Sequence, residues 1–289
     1  MPHKLPFEQL IYSAPFPRVP DNIKAKYSIR NLSFRPFGIF EKDLDIDFKE
    51  RSRPYLATKV LRCCTLDNNG DPPENAFFLD LTVGKRIECL LTLATLRGSS
   101  LLIFSTPCLN GACSQKMEIQ ISAQELADLQ HLYDDSDQIN IEFADKTISI
   151  RKPTGTDQLE WLRNSYQDEA EAIEVMIRTL ILESGNVSSE RESQRSDNWV
   201  QTLNNTFDEI DPLVNFRFLV NCPYCGMENQ YEIDLEEISL QRLKDAQIRL
   251  LKSIHLIARH YHWNEKQFFS VPPWRRSQYL ALIEKEISS

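Results

Sequence analysis

The residues of this 289-residue chain best suited to chemistry are its seven cysteines. Cys63, Cys64 and Cys89 sit among apolar residues and read as small core hydrophobes. The other four form two close pairs, Cys108/Cys113 and Cys222/Cys225. The first twenty residues carry no apolar stretch ahead of a small-residue cleavage site, so a secretory signal is not expected. In a reducing compartment, close pairs point to metal or redox chemistry before they point to disulfides. Cys222-Pro223-Tyr224-Cys225-Gly226 on a hairpin turn is half of a zinc ribbon. Such a turn aims two thiolates at one point, and Gly226 permits the positive φ that lets amides approach sulfur. Cys108-x4-Cys113 is a looser half-site of the same kind. Together the halves supply four thiolates, which satisfy tetrahedral zinc with no open position. The expectation is one structural zinc ion on Cys108, Cys113, Cys222 and Cys225, clamping two hairpins. The alternative is a degenerate ribbon with free or oxidised cysteines. Thioredoxin-like redox chemistry is disfavoured, because Cys222 follows a strand and precedes a hairpin, not a helix.

No other constellation competes with the cysteines. His255, His260 and His262 lack the i, i+4 spacing and the Glu of a zinc-protease helix, and read as solvated or partner-facing. Gly84-Lys85-Arg86 has no Gly five residues before it and no Ser or Thr after the Lys, so it is not a phosphate loop. There is no Gly-x-Ser-x-Gly and no distinctive carboxylate pair, so no enzyme, catalytic residue or organic cofactor is expected. Trp274, Arg275 and Arg276 at a helix start suit a protein interface, an aromatic anchor beside two arginines. The alternative packs Trp274 on the preceding long helix and leaves the arginines outside.

The elements that must position these groups follow from periodicity and turn chemistry. A helix is expected over about 84–97, with Ile87, Leu90, Leu91, Ala94 and Leu96 near one face. The apolar run 101–104 reads as a buried strand, followed by the first cysteine pair and a strand over Met117–Ile121. Ser122 and Glu125 form a capping box, strands follow at 139–143 and 147–151, and Thr154 or Thr156 caps a helix near 157–164. A second helix is expected over 167–183. After it come a helix over 199–210 closed by Asp211-Pro212, a strand at 214–220, the second cysteine pair and a strand at 230–235. A long helix over 236–262 carries the stripe Leu243, Leu250, Ile254, Ile257 and Tyr261. Asn264 with Gln267 caps a short helix, and Pro272-Pro273 opens the last one.

The two cysteine regions align as an internal repeat. Phe104 and Phe218 each lie four residues before the first cysteine of their pair, and Glu118-Ile119 and Glu232-Ile233 each begin ten residues after it. Both copies read helix, strand, cysteine turn, strand, helix. The expected class is α+β: two related zinc-ribbon-like Cys hairpins joined by helices, with a C-terminal helical hairpin. Residues 1–55, rich in proline and aromatics, read as an extended arm draped on a neighbour, with one strand over Ser28–Phe34. Residues 56–183 form the first module, 184–198 a polar linker without aliphatic residues except Val187, and 199–289 the second module.

The composition bounds the function. With 42% hydrophobic and 26% charged residues, the chain is ordinary for a globular protein, and it has no apolar run of the ~18 residues that a membrane span needs. A net charge of −9 argues against a general nucleic-acid coat. The charge is uneven. From Leu240 onward nine Lys/Arg face four Asp/Glu, a net of +5, so everything before carries −14. That basic end reads as solvated helix faces, or as a surface that docks on an acidic partner or on the chain's own acidic body.

The order of motifs over residues 55–287 resembles a family. His255, Leu256, Ala258, Tyr261 and Trp263, then Arg275, Arg276, Tyr279 and Leu280, are similar to the C-terminal pattern of phage T4-type baseplate proteins. Pro153, Thr154, Gly155 and Asp157 resemble that family's Leu-Pro-Thr-Gly-x-Asp segment, and Gly84-Lys85-Arg86 stands where it has Gly-Asp-Arg. The resemblance implies a non-enzymatic structural or assembly component of the baseplate of a contractile phage tail or a related injection system. It implies other baseplate, hub or tail proteins as partners; the charge, the lack of a long apolar run and the unsignalled cysteines give the expectations of no nucleic acid, no membrane span and a cytoplasmic setting. The competing reading is a zinc-ribbon adaptor binding nucleic acid or a regulatory protein. That adaptor needs basic, aromatic hairpin tips, where this chain offers only Lys116 and Tyr224.

Overall fold

The computed structural model describes residues 13–132, 138–143, 146–183 and 197–287. It is an α+β fold of helices and small antiparallel sheets. Strand β1 (Ala14–Pro15), helix α1 (Asp21–Lys26), strand β2 (Leu32–Phe34) and a 3₁₀ turn at Glu41–Asp45 come first. Helix α2 (Arg53–Cys64) runs into strand β3 (Thr65–Asp67), which completes a β1-β2-β3 sheet. Helices α3 (Asn75–Asp80) and α4 (Val83–Thr95) follow. The first cysteine hairpin is β4 (Leu101–Pro107) with β5 (Lys116–Ser122), and it leads into α5 (Ala123–His131).

Strands β6 (Gln138–Phe143) and β7 (Lys146–Arg151) come next, then helices α6 (Gly155–Arg163) and α7 (Glu169–Leu180). Strand β8 (Ile181–Glu183) pairs with β7. After α8 (Asp197–Ile210) stands the second cysteine hairpin, β9 (Phe216–Asn221) with β10 (Glu228–Ile233). The 27-residue α9 (Leu235–Tyr261), α10 (Glu265–Ser270) and α11 (Pro273–Ile287) close the order.

Caps fix most of the boundaries. Ser122 with Glu125, Thr154 with Asp157 and Asn264 with Gln267 each form the reciprocal box that satisfies two free amides of a first turn. The long helix starts on Asp234, whose side chain accepts the Glu237 amide, and it stops at His262 in the left-handed conformation, φ 56°.

Helix α4 is the centre of the molecule. Leu90, Leu93 and Cys89 face one core with α2, α3, Leu240 and Leu243. Val83, Ile87 and Leu91 face a second core with Leu102 of β4, Leu126 of α5, Leu213 and Leu235. The single apolar face expected for it is therefore two faces, because α4 is covered on both sides. A third core joins α9, α10 and α11 through Leu250, Ile254, Ile257, Phe268 and Ile283.

Two expectations are corrected. Residues 13–55 are not an arm reaching for a neighbour: Val19, Phe34, Phe37 and Ile46 are buried in the chain's own first core. The strand expected over Ser28–Phe34 is only Leu32–Phe34, since Ser28 takes φ 54° to turn the chain out of α1. Of the polar stretch 184–198, residues 184–196 lie outside the described residues. Two motif-bearing segments of the first module are joined directly to each other. Val83 N donates to Pro153 O at 2.9 Å, Gly155 N donates to Leu81 O at 3.2 Å, and Thr82 pairs with Thr154. Among the described residues no helix is long and apolar enough to cross a membrane.

Candidate metal centre

The two cysteine hairpins have one construction. In the second, Cys222 N donates to Met227 O at 2.8 Å and Gly226 N donates to Cys222 O at 2.8 Å, with Gly226 at φ 73°. In the first, Cys108 N donates to Gln115 O at 2.8 Å, and Ser114 takes φ 46° where Gly226 stands in the other copy. The registers match as well: Phe104 pairs with Ile119, and Phe218 with Tyr231. This corrects the sequence alignment of the second strands. Ile119 corresponds to Tyr231, not to Ile233, because the Cys-x4-Cys loop holds two residues more than Cys-x2-Cys.

The hairpins pack on each other through the equivalent Phe104 and Phe218, rings edge-on with centroids 5.9 Å apart. Cys108, Met117 and Cys222 form a small buried cluster beneath the turns, with Cys113, Val220 and Tyr231 against it. Cross-links join the copies. Asn229 is buried; its Oδ1 accepts the Leu109 amide at 2.7 Å, and its Nδ2 donates to Met227 O at 2.7 Å. Tyr231 Oη donates to Pro107 O at 2.7 Å.

This packing brings the four expected ligands together. The sulfurs of Cys108, Cys113, Cys222 and Cys225 all lie within 4.8 Å of one another. Cys108 Sγ is 3.7 Å from Cys225 Sγ, and Cys113 Sγ is 3.9 Å from Cys222 Sγ. All seven cysteines are free, and these separations are far from the ~2.05 Å of a disulfide. Four sulfurs placed at about 2.3 Å from one ion at tetrahedral corners stand about 3.8 Å apart. The donor set and spacing thus fit a single tetrahedral ion.

The electrostatics are uneven. Burial works to raise the Cys222 thiol, but the amides of Tyr224 and Cys225 and the adjacent thiols bring it down to about 7. Burial pushes Cys108 up to about 11. At Cys113 the Gln115 amide works downward, and burial with the opposing thiols outweighs it, leaving it above its ordinary value. A bound cation must therefore displace protons from this set, which makes its affinity pH-dependent.

The other singled-out residues do different work. Trp274 and Arg275 are exposed at the start of α11, open to a partner. Arg276 is buried instead: its Nη1 donates to Ile39 O at 3.0 Å and its guanidinium lies over Phe268. It anchors α11 to the body, unlike its two exposed neighbours. Tyr261, Trp263 and Tyr279 stack on one another with centroids 5.1–5.6 Å apart and fasten α11 to α9. His255, His260 and His262 are exposed and belong to no ligand cluster among the described residues.

The Gly84 and Gly155 motifs are positions of close approach. A Cβ at Gly84 would stand 1.7 Å from Asp211 Oδ1, and one at Gly155 would stand 2.7 Å from Arg86 Nη1. Arg86 is fully buried and donates to Phe78 O and Pro54 O, each at 2.6 Å. Lys85 and Glu88 form a buried ion pair at 2.6 Å.

Sequence reasoning missed Asn229, and it missed a cluster of Asp43, Cys63 and Cys64. There Arg35 Nη1 is 2.7 Å from Asp43 Oδ1 and Arg35 Nη2 is 3.1 Å from Cys63 Sγ. The guanidinium already supplies the positive charge, so the cluster is a buried ion pair that Cys63 joins, not an ion site. Cys63 is therefore no simple core hydrophobe. No family model, curated protein or solved structure matches the chain.

Proposed function

We propose that the chain is a non-enzymatic scaffold whose two zinc-ribbon-like hairpins are held together by one structural zinc ion on Cys108, Cys113, Cys222 and Cys225. The observation that carries this reading is the crosswise sulfur geometry, 3.7 Å and 3.9 Å between hairpins, with all four positions supplied by protein. A site with four protein ligands leaves no place for substrate or water, so its role is mechanical.

The setting we propose is the baseplate of a contractile phage-like tail or injection system, as a built-in part or an assembly factor. The ordered motifs support it, and so does what the motif residues do: Gly84, Arg86, Thr154, Gly155, Asp157, Tyr261, Trp263 and Tyr279 all serve packing and capping. Partners would be other baseplate, hub or tail proteins. The hairpin tips favour protein over nucleic acid, because the exposed Leu109, Tyr224 and Met227 are apolar or aromatic and the turn segments 107–117 and 221–228 carry one Lys or Arg, Lys116. Co-purification of tagged protein with sheath, tube or spike proteins, and loss of sheathed tails on deletion, are the expected results. Intact tails after deletion, with no tail protein captured, would contradict the setting.

A further inference from the structure

A groove of about 830 Å³ lies where the end of α4, the middle of α9 and the start of α11 meet. Arg97, Arg242, Arg249 and Arg276 line it, and Asp245 is the single carboxylate among its lining residues. Asp245 Oδ1 already accepts Gln241 Nε2 at 2.9 Å. Arg276 is held rigidly by Ile39 O and Phe268, and Arg242 Nη2 donates to Leu101 O at 2.7 Å. Burial, and then the charge of Arg249, push the Arg242 guanidinium below its ordinary value, as two like charges held near one another must. On a chain of net −9, this is a local concentration of positive charge.

We infer that this groove binds a short acidic segment of a partner protein, its carboxylates on the arginines and its apolar side chains on the aliphatic wall between them. Arg242 and Arg249 are seven residues apart on one helix, so they stand about 10.5 Å apart along its axis. About three residues of extended chain cover that rise, so a peptide can follow the helix from one arginine to the other. Guanidinium forks match carboxylates in pairs. Leu96 and Leu280, both half-buried, line the same groove and offer surface that a peptide's Leu or Ile covers and a phosphate backbone does not. The inference deepens the scaffold reading and rests on it for the premise that this chain recognises other proteins.

The test is fluorescence anisotropy of a labelled peptide of alternating Glu and Leu with the full, metal-loaded chain. Binding is expected to weaken with salt, and by at least about tenfold in Arg249→Glu and in Arg97→Glu, both changes of exposed side chains. A Lys-for-Glu peptide should not compete. Equal binding of the Lys peptide, unchanged affinity in both variants, or displacement by a lower concentration of single-stranded oligonucleotide would overturn the inference. The sulfur site is untouched by these variants, so metal content reports separately on the scaffold.

Discussion

Cys108 Sγ lies 3.7 Å from Cys225 Sγ, 117 residues further along the chain. Each close sulfur pair joins the first cysteine of one hairpin to the second cysteine of the other. Exchanging the hairpins maps one pair onto the other, so the two copies contribute equivalent cysteines to the cluster. Neither turn holds an ion alone, so an ion at the centre would tie distant parts of the chain together.

Single replacements in either turn should therefore have one outcome. Cys113→Ser and Cys225→Ser are each expected to drop bound metal to a small fraction of one per chain and to lower the melting temperature by about 5 °C or more. Elemental analysis with thermal melts checks both. A variant of one turn that kept its full metal content would show that the turns do not share a site.

Asn229→Ala removes the acceptor of the Leu109 amide and the donor to Met227 O in a buried place. A loss of about 1–3 kcal/mol is expected in urea unfolding of the metal-loaded chain. A loss below a few tenths would mean that the hairpins do not depend on this cross-link.

The close-approach glycines should be intolerant where an open one is not. Gly84→Ala forces a methyl into Asp211 and should cost about 1–3 kcal/mol, with partial recovery in Gly84→Ala/Asp211→Ala. Gly111 has open space where its Cβ would be, so Gly111→Ala should leave the urea midpoint unchanged. Equal effects at the two positions would contradict the Asp211 contact.

Acid sensitivity should trace in part to Asp157. Burial works to raise this carboxyl, but Arg151 and the Thr154 amide and hydroxyl outweigh it and hold it below 3.8. A depressed folded value contributes stability that is present above pH 3.8 and lost as the pH falls through the folded value. Asp157 is buried, but its partner Arg151 is partly exposed and solvent screens the pair, so the contribution is about 1 kcal/mol. Asp157→Asn should be less stable than wild type at neutral pH, and the gap should narrow below pH 3.8. Urea midpoints over a pH series measure it, and a constant gap would remove Asp157 from the acid response.

Much of this was readable from sequence because the signals were local. The capping boxes at Ser122, Thr154 and Asn264, the stripe on α9 and the turn Cys222–Gly226 declare themselves within a few residues. What escaped depended on distance in the chain. Helix α2 carries Leu56, Ala57, Val60, Leu61 and Cys64 buried at helical spacing, a pattern legible in principle, with Pro54 in its first turn as a start signal. The fold of residues 13–55 onto the body was hidden, because prolines give an arm and a packed irregular segment the same composition. Asn229 and Asp43 were hidden because a buried polar residue looks like any surface one until its partners, up to 121 residues away for Asn229, are in place.

X-ray absorption at the metal edge of the purified chain measures the central geometry most directly. Four sulfurs at about 2.3 Å around one zinc, with no nitrogen or oxygen neighbour, is the expected spectrum. Mixed light-atom ligands, or a chain that purifies metal-free and melts at the same temperature with and without added zinc, would contradict a shared four-thiolate clamp.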